Sequence, residues 1–229
     1  MEKNLKEVIN EIITATFNRL NSVYKEHKEG ECSGISPSEE NSRLVFPMYG
    51  PHRGNETRIS EQELRFAFVE EFYNYCNANN CNLFYSVETP TIDKYSGFSN
   101  NDNKRGPQQY SNGRSGEFDL VIFDEKMKRV CLIEFKVNNS SDTQHHKDFI
   151  KLNNKNEGDE SVLRFFIEIV KNHNANTIKS LNKKLENNKE IKAEFRCYSL
   201  ENGEEITQSI LEFKFKNKSL SPNSKKIKN

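Results

Sequence analysis

The sequence predicts an α/β protein with a helical addition at its N-terminus. Three observations carry this reading. Apolar residues recur at three- and four-residue steps over 3–26 and again after Ser60, which is the period of one helix face. Two runs, 117–123 and 129–137, are apolar at almost every position, as strands buried on both faces are. Two further strand-like runs, 191–200 and 205–215, flank Asn202-Gly203, the strongest short hairpin signal.

The elements follow in order. Leu5, Val8, Ile9, Ile12, Ile13, Phe17, Leu20 and Val23 form the stripe of the first helix. Residues 28–58, rich in Gly, Ser, Pro and charge, read as a connection holding one apolar piece, Leu44-Val45-Phe46. Ser60 with Glu63 three residues later is a capping box, in which each side chain bonds the other's free backbone N–H. It opens a helix running to about Tyr75. Leu83 to Val87 reads as a strand that Pro90 stops, because proline cannot donate to a ladder. Residues 96–116 form a long polar loop. After the two apolar runs, helices are expected at 143–153, 160–172 and 176–188. The polar, Lys-rich tail from Asn217 to Asn229 reads as disordered. The chain thus divides into a helix and connecting segment at 1–54, a core domain at 55–216 and a basic tail at 217–229.

Composition narrows the function. The 229 residues hold 34 Lys and Arg against 34 Asp and Glu. The formal net charge of zero excludes a generally basic coat, so a nucleic acid would have to bind a local patch. Sixteen Phe and eight Tyr supply a core despite a hydrophobic fraction of only 34%, and that aromatic content excludes full disorder. No apolar run approaches the roughly 18 to 20 residues of a membrane span, and Met1-Glu2-Lys3-Asn4 leads into no secretory signal. The five scattered cysteines form no C-x-x-C pair. They read as reduced thiols of a cytoplasmic protein, with Cys131 and Cys197 as small core residues.

The chemistry concentrates in Glu117-Phe118-Asp119-Leu120-Val121-Ile122-Phe123 and Val130-Cys131-Leu132-Ile133-Glu134-Phe135-Lys136-Val137. Charges inside such strands are costly unless paired or bound to a metal. A hairpin with 125–128 as its loop pairs residues summing to 253. Asp124 then faces Arg129, Asp119 faces Glu134 and Glu117 faces Lys136. Directly opposed Cβ atoms lie about 4.5–5.5 Å apart, so two carboxylates there repel unless a cation sits between them. Mg²⁺ fits such a gap, and Lys136 beside it would orient a water or stabilise phosphate charge.

This arrangement resembles the PD-(D/E)xK nuclease superfamily, the restriction-endonuclease-like fold. Asp119 matches the first acid, Glu134 the second and Lys136 the lysine, while Phe118 stands where the family name has Pro. The resemblance spans roughly 60–155. It implies a mixed central sheet flanked by helices and metal-dependent cleavage of nucleic acid, with DNA ranked ahead of RNA. It also implies Mg²⁺ (Mn²⁺ as substitute) held by Asp119 and Glu134, and an acid early in the preceding helix, Glu61 or Glu63. Defence or repair would be the setting.

Other Glu-x-Lys tripeptides lack this context. Glu212-Phe213-Lys214 is the closest competitor, but a two-residue Asn202-Gly203 turn pairs residues summing to 405 and puts Glu194 and Glu212 on opposite faces. Glu70 and Glu71 read as solvated. On the helix after the site, spacing sets Lys147 and Lys151 on one face and Asp148 beside Lys151 or Leu152. Lys147 and Lys151 are candidate phosphate contacts, as are Lys104, Arg105, Arg114 and Ser115 in the loop. Two other readings stand beside the nuclease. One is a non-catalytic nucleic-acid- or ligand-binding module on the same fold. The other is a partner-binding protein, a homodimer, using the N-terminal helix as its dimer face.

Overall fold

The computed structural model describes residues 3–28, 44–47, 49, 56–96, 108–109, 113–188 and 192–218. Among the described residues, five α-helices surround one sheet: α1 (Leu5–Lys28), α2 (Glu61–Asn79), α3 (Asp142–Asn153), α4 (Ala175–Asn187) and α5 (Thr207–Lys218). The strands are β1 (Phe84–Ser96), β2 (Gln108–Gln109), β3 (Arg114–Phe123), β4 (Arg129–Val137), β5 (Leu163–Val170), β6 (Glu194–Ser199) and β7 (Glu204–Glu205). The seven-stranded sheet has the order β2-β1-β3-β4-β5-β6-β7. It is antiparallel from β2 to β4, parallel across β4, β5 and β6, and antiparallel again at β7. This is the mixed sheet flanked by helices that the sequence predicts.

Each face of the sheet carries a core. On one, the stripe of α1 (Ile9, Ile12, Ile13, Phe17, Leu20) and the inner face of α2 (Leu64, Ala67, Phe68, Phe72) cover Leu120, Ile133, Phe135 and Ile167. On the other, Phe149 and Leu152 of α3, Leu181 of α4 and Ile210 of α5 cover Val121, Leu132, Phe166 and Cys197. β4, in the middle, is buried continuously from Cys131 to Val137, as its two-faced apolar pattern requires. The apolar stripe of α1 is therefore buried within the chain. Among the described residues no helix is long and apolar enough to cross a membrane.

Several expectations need correction. The segment 160–172 holds β5, not a helix. Phe165, Phe166, Ile167, Ile169 and Val170 are buried in both cores, and such aromatic and β-branched runs suit an interior strand. The run 205–215 is strand only at Glu204–Glu205 and then becomes α5. Ile206 and Ile210, four apart, enter the core together, so helical spacing prevailed over alternation. The hairpin around Asn202-Gly203 exists, but its pairs are Tyr198↔Glu205 and Ser199↔Glu204, which sum to 403 rather than 405 and leave a longer connection centred one residue earlier. Gly203, at φ 70°, closes its four-residue connection.

Pro90 does not end β1, which continues to Ser96. Among the described residues only β2 pairs with the outer edge of β1, so most of that edge needs no donor. Glu70 and Glu71 are not simply solvated, since both meet Arg19 of α1. Lys104, Arg105 and the tail beyond 218 lie outside the described residues.

Candidate active site

The β3–β4 register matches the predicted sum for Leu120↔Ile133, Val121↔Leu132 and Ile122↔Cys131. It slips at the turn, where Phe123 rather than Asp124 pairs with Arg129. At the other end the ladder stops at Leu120. The N–H of Phe135, which a longer ladder would give to backbone, donates instead to Asp119 Oδ2 at 2.7 Å. Strict alternation also breaks here. Phe118 and Val121 lie in one core while Leu120 and Ile122 lie in the other.

Asp119 consequently turns towards α2, where Arg65 Nη2 donates to its Oδ1 at 2.8 Å. Glu88 lies between the pairs Val87↔Leu120 and Thr89↔Phe118, across from Asp119, with its backbone in the left-handed region at φ 49°. Its carboxylate takes a second bond from Arg65 at 3.1 Å. A non-glycine residue held there is strained and points to a constrained site.

Glu134 turns to the other side. Lys151 Nζ of α3 lies 2.6 Å from Glu134 Oε1 and 2.9 Å from Asp148 Oδ1. Asp148 Oδ2 meets Lys136 Nζ, also at 2.9 Å, and Lys136 reaches Glu61 Oε1 of α2 at 3.5 Å. Three α3 side chains, at steps of three, thus meet the sheet as rungs: Lys151 with Glu134, Asp148 with Lys136, and His145 with Glu168 of β5 at 2.9 Å. Glu117 is not opposite Lys136; its carbonyl accepts from Lys151 Nζ at 2.7 Å.

The directly facing Asp119–Glu134 pair expected from strand register is therefore not formed. The two acids flank the gap where β3 and β4 part, one served from α2 and the other from α3. They still feel each other. Burial, then the nearby Asp148, and Asp119 as well push the Glu134 carboxyl well above its ordinary range, and Lys151 and Lys136 do not cancel this. Burial opposes the charge on Lys136, but Asp148, Glu134, Asp119 and Glu61 hold it above the ordinary lysine value. Burial likewise opposes the charge on Asp148, and Lys151 and Lys136 outweigh it to hold the carboxyl low. Glu61 is raised by burial first, with Asp119 and Asp148 adding to the effect against Lys136. The cluster opens to solvent on the α2 side, where the Glu61 and Glu88 side chains are 39% and 61% exposed; Glu134 is 2% exposed.

The structure brings together Asp119, Glu134, Lys136, Glu61 and Lys151. It leaves out Glu63, which accepts from Ser60 N at 2.8 Å as a capping box and from Arg58 at 2.8 Å. Arg114 and Ser115 are exposed residues of β3 rather than loop, and Arg114 lies five residues from Asp119, about 16 Å along a strand. Lys147 forms none of the three rungs. Sequence reasoning assigned no role to Arg65, Glu88 or Asp148. Arg65 carried a signal, a charge between Leu64 and Ala67 on an apolar helix face. Glu88 carried none, because only the fold brings it across from Asp119. Among the described residues no three His, Cys, Asp or Glu side chains converge in metal-holding geometry as they stand. Internal cations contact the carboxylates instead.

Compared with known proteins, the chain matches no family model, no curated protein and no solved structure.

Proposed function

We propose that this chain is a divalent-metal-dependent nuclease of the restriction-endonuclease-like type, cutting phosphodiester bonds in nucleic acid. DNA comes ahead of RNA, following the family resemblance of Asp119, Glu134 and Lys136, and defence or repair is the setting that resemblance suggests. One observation supports the reading above the others. At the end of the sheet, five carboxylates (Glu61, Glu88, Asp119, Glu134, Asp148) share three cations (Arg65, Lys136, Lys151). Acids outnumber cations there, and burial first, then Asp148 and Asp119, raise the Glu134 carboxyl against the pull of Lys151 and Lys136.

The residues suit a hard cation, since every donor is oxygen. Asp119 and Glu134 would hold Mg²⁺, with Mn²⁺ as a substitute. Such an ion polarises a phosphoryl oxygen and lowers the pKa of a bound water. The chain's own groups do the remaining work. Lys136, held protonated by its acidic neighbours, donates to a water or a phosphate oxygen. Glu61, at the solvent side, accepts a proton from the attacking water. Arg65 holds Asp119 in place.

The test is cleavage of plasmid, single-stranded DNA and RNA with Mg²⁺ or Mn²⁺. Glu134→Ala and Lys136→Ala are each expected to reduce cleavage by about a hundredfold or more. Activity unchanged by both substitutions would remove the assigned site. A second reading, a non-catalytic binding module, is favoured by a different feature: Asp119, Glu134 and Asp148 each already touch an internal cation. Absence of cleavage on every substrate selects it.

A further inference from the structure

We infer that Cys76 and Cys81 form a reversible disulfide, a redox-modified site at the end of α2 that takes low-molecular-weight disulfides as its co-reactant. The inference rests on no part of the nuclease reading. It stands on the backbone that closes α2.

The turn brings the two residues together. Asn80 adopts the left-handed region at φ 51° and ψ 41°, and the Cys81 N–H donates to the Cys76 carbonyl at 3.1 Å. This bond runs from the residue after the left-handed one to the residue five earlier. It closes many helices, and an apolar contact between the two side chains frequently goes with it. Here both side chains are thiols, and they lie within hydrogen-bonding reach of each other. A disulfide needs Cα atoms about 4.4–6.8 Å apart. A direct backbone bond between the same two residues keeps them at such a separation. The flanks are anchored as well, since Cys76 and Leu83 both pack against the core beneath α1 and α2. Closure therefore asks for little movement of the chain.

The other described cysteines are differently placed. Cys131 of β4 and Cys197 of β6 are fully buried, in opposite cores, and burial raises both thiols. Buried cysteines of this kind are inert. Cys76 and Cys81 are each half-buried, so a small reagent reaches them. A helix-end plug asks only for apolar side chains; what two touching thiols add is chemistry.

That chemistry has an order. Burial first, then the hydrogen bond and the charge of Cys81, push the Cys76 thiol up to about 12. Cys76 therefore stays protonated while Cys81 is free, and the Cys81 thiolate opens the exchange. It attacks a low-molecular-weight disulfide, releases one thiolate and is left as a mixed disulfide. Capped in this way, Cys81 no longer supplies the hydrogen bond and charge that oppose ionisation of Cys76. Cys76 then loses its proton and attacks the Cys81 sulfur, and the second small thiolate leaves. Two protein thiols become one disulfide, one small disulfide becomes two thiols, and both protons pass to those thiols.

The test equilibrates the full chain with glutathione and glutathione disulfide, in buffer and in urea. Free thiols are then blocked and the linked peptides mapped by mass spectrometry. In buffer the Cys76–Cys81 bond is expected, while Cys131 and Cys197 stay reduced. Because the fold holds the two thiols together, the equilibrium constant for closure should be about tenfold higher in buffer than in urea, or more. The oxidised chain should melt higher than the reduced one, and Cys76→Ser and Cys81→Ser should each lose this redox dependence. An equal or smaller constant in buffer than in urea overturns the inference. So does glutathione that remains on Cys81 without closure, or a bond from either residue to Cys32 instead. Should a serine variant fail to fold, the mapping of the wild-type chain decides alone. A chain that closes this bond and cuts nothing keeps the inference and loses the nuclease reading. A chain that cuts without closing it does the reverse.

Discussion

Glu157 and Glu134 are both fully buried glutamates, and their surroundings are opposite. Glu157, in a single 3-10 turn (Lys155–Glu157) after α3, accepts from Ile92 N at 2.8 Å, Asp93 N at 3.0 Å, Tyr95 Oη at 3.0 Å and Arg129 Nη1 at 3.2 Å. Three neutral donors and one cation satisfy it. It fastens the outer half of β1 to the turn. Glu134 has the Lys151 ammonium 2.6 Å from one oxygen, no backbone donor to match those of Glu157 among the described contacts, and other carboxylates nearby. A buried acid supplied with matching donors is a structural fastening. A buried acid supplied with fewer positive charges than its neighbourhood holds negative ones is costly in the free protein.

The largest expected effect follows from that contrast. Glu134→Gln should reduce metal-dependent cleavage by about a hundred- to ten-thousandfold while leaving the fold intact. Its stability signature has a definite sign. A carboxyl whose folded-state pKa is raised stabilises fully below its unfolded value and loses that contribution as pH rises through the folded value. Wild type should therefore lose stability relative to Glu134→Gln as pH climbs above 4.5, the ordinary value for this group, when melting is followed in EDTA. A wild-type curve parallel to the variant's would show that Glu134 is as well served as Glu157.

The complementary substitution moves stability and spares chemistry. Glu157→Leu strips the acceptor from two backbone N–H groups and a tyrosine hydroxyl and leaves Arg129 without its carboxylate. Loss of one partner of such a buried pair costs about 3–5 kcal/mol, measurable by urea unfolding. Cleavage per folded molecule should stay within about twofold of wild type, a difference of under half a kcal/mol on the rate scale. A drop as large as that of Glu134→Gln would place Glu157 in the reacting machinery and end the comparison.

Local pattern revealed much of this arrangement. The capping box at Ser60, the two inner strands and the Leu120↔Ile133 register were legible because each rests on neighbours in sequence. So was the proximity of Lys136 to Glu134, two residues apart on one strand. Tertiary competition hid the rest. Phe165 to Val170 is compatible with helix or strand until a parallel slot between β4 and β6 decides. The segment after Glu205 alternates like a strand, yet Ile206 and Ile210 are buried together only as a helix. Asp119 was correctly chosen but wrongly aimed, since strand parity assumes an unbroken ladder and the strands part at that residue. Asp148 and Arg65 pair with residues 12 and 54 positions away, a range at which spacing rules give no information.

The smallest effect repeats the contrast within one helical turn. Glu61 and Glu63 stand two positions apart at the start of α2, and the sequence offers either as the helix acid. Glu63 is satisfied by the Ser60 N–H and Arg58, so Glu63→Gln weakens a cap and should cost about 1 kcal/mol of stability, with cleavage unchanged. Glu61 has only the 3.5 Å contact with Lys136 and a carboxyl raised by burial. Its side chain is also 39% exposed, so solvent screening limits what the contact contributes to stability. Glu61→Gln should therefore leave melting almost unchanged and slow cleavage by no more than about tenfold, the equivalent of 1.4 kcal/mol in the barrier. Assay of both variants at equal folded concentration separates the roles. Slower cleavage in Glu63→Gln, with Glu61→Gln at wild-type rate, would mean that the capping acid leaves its cap to act, and that satisfied donors do not mark a carboxylate as structural.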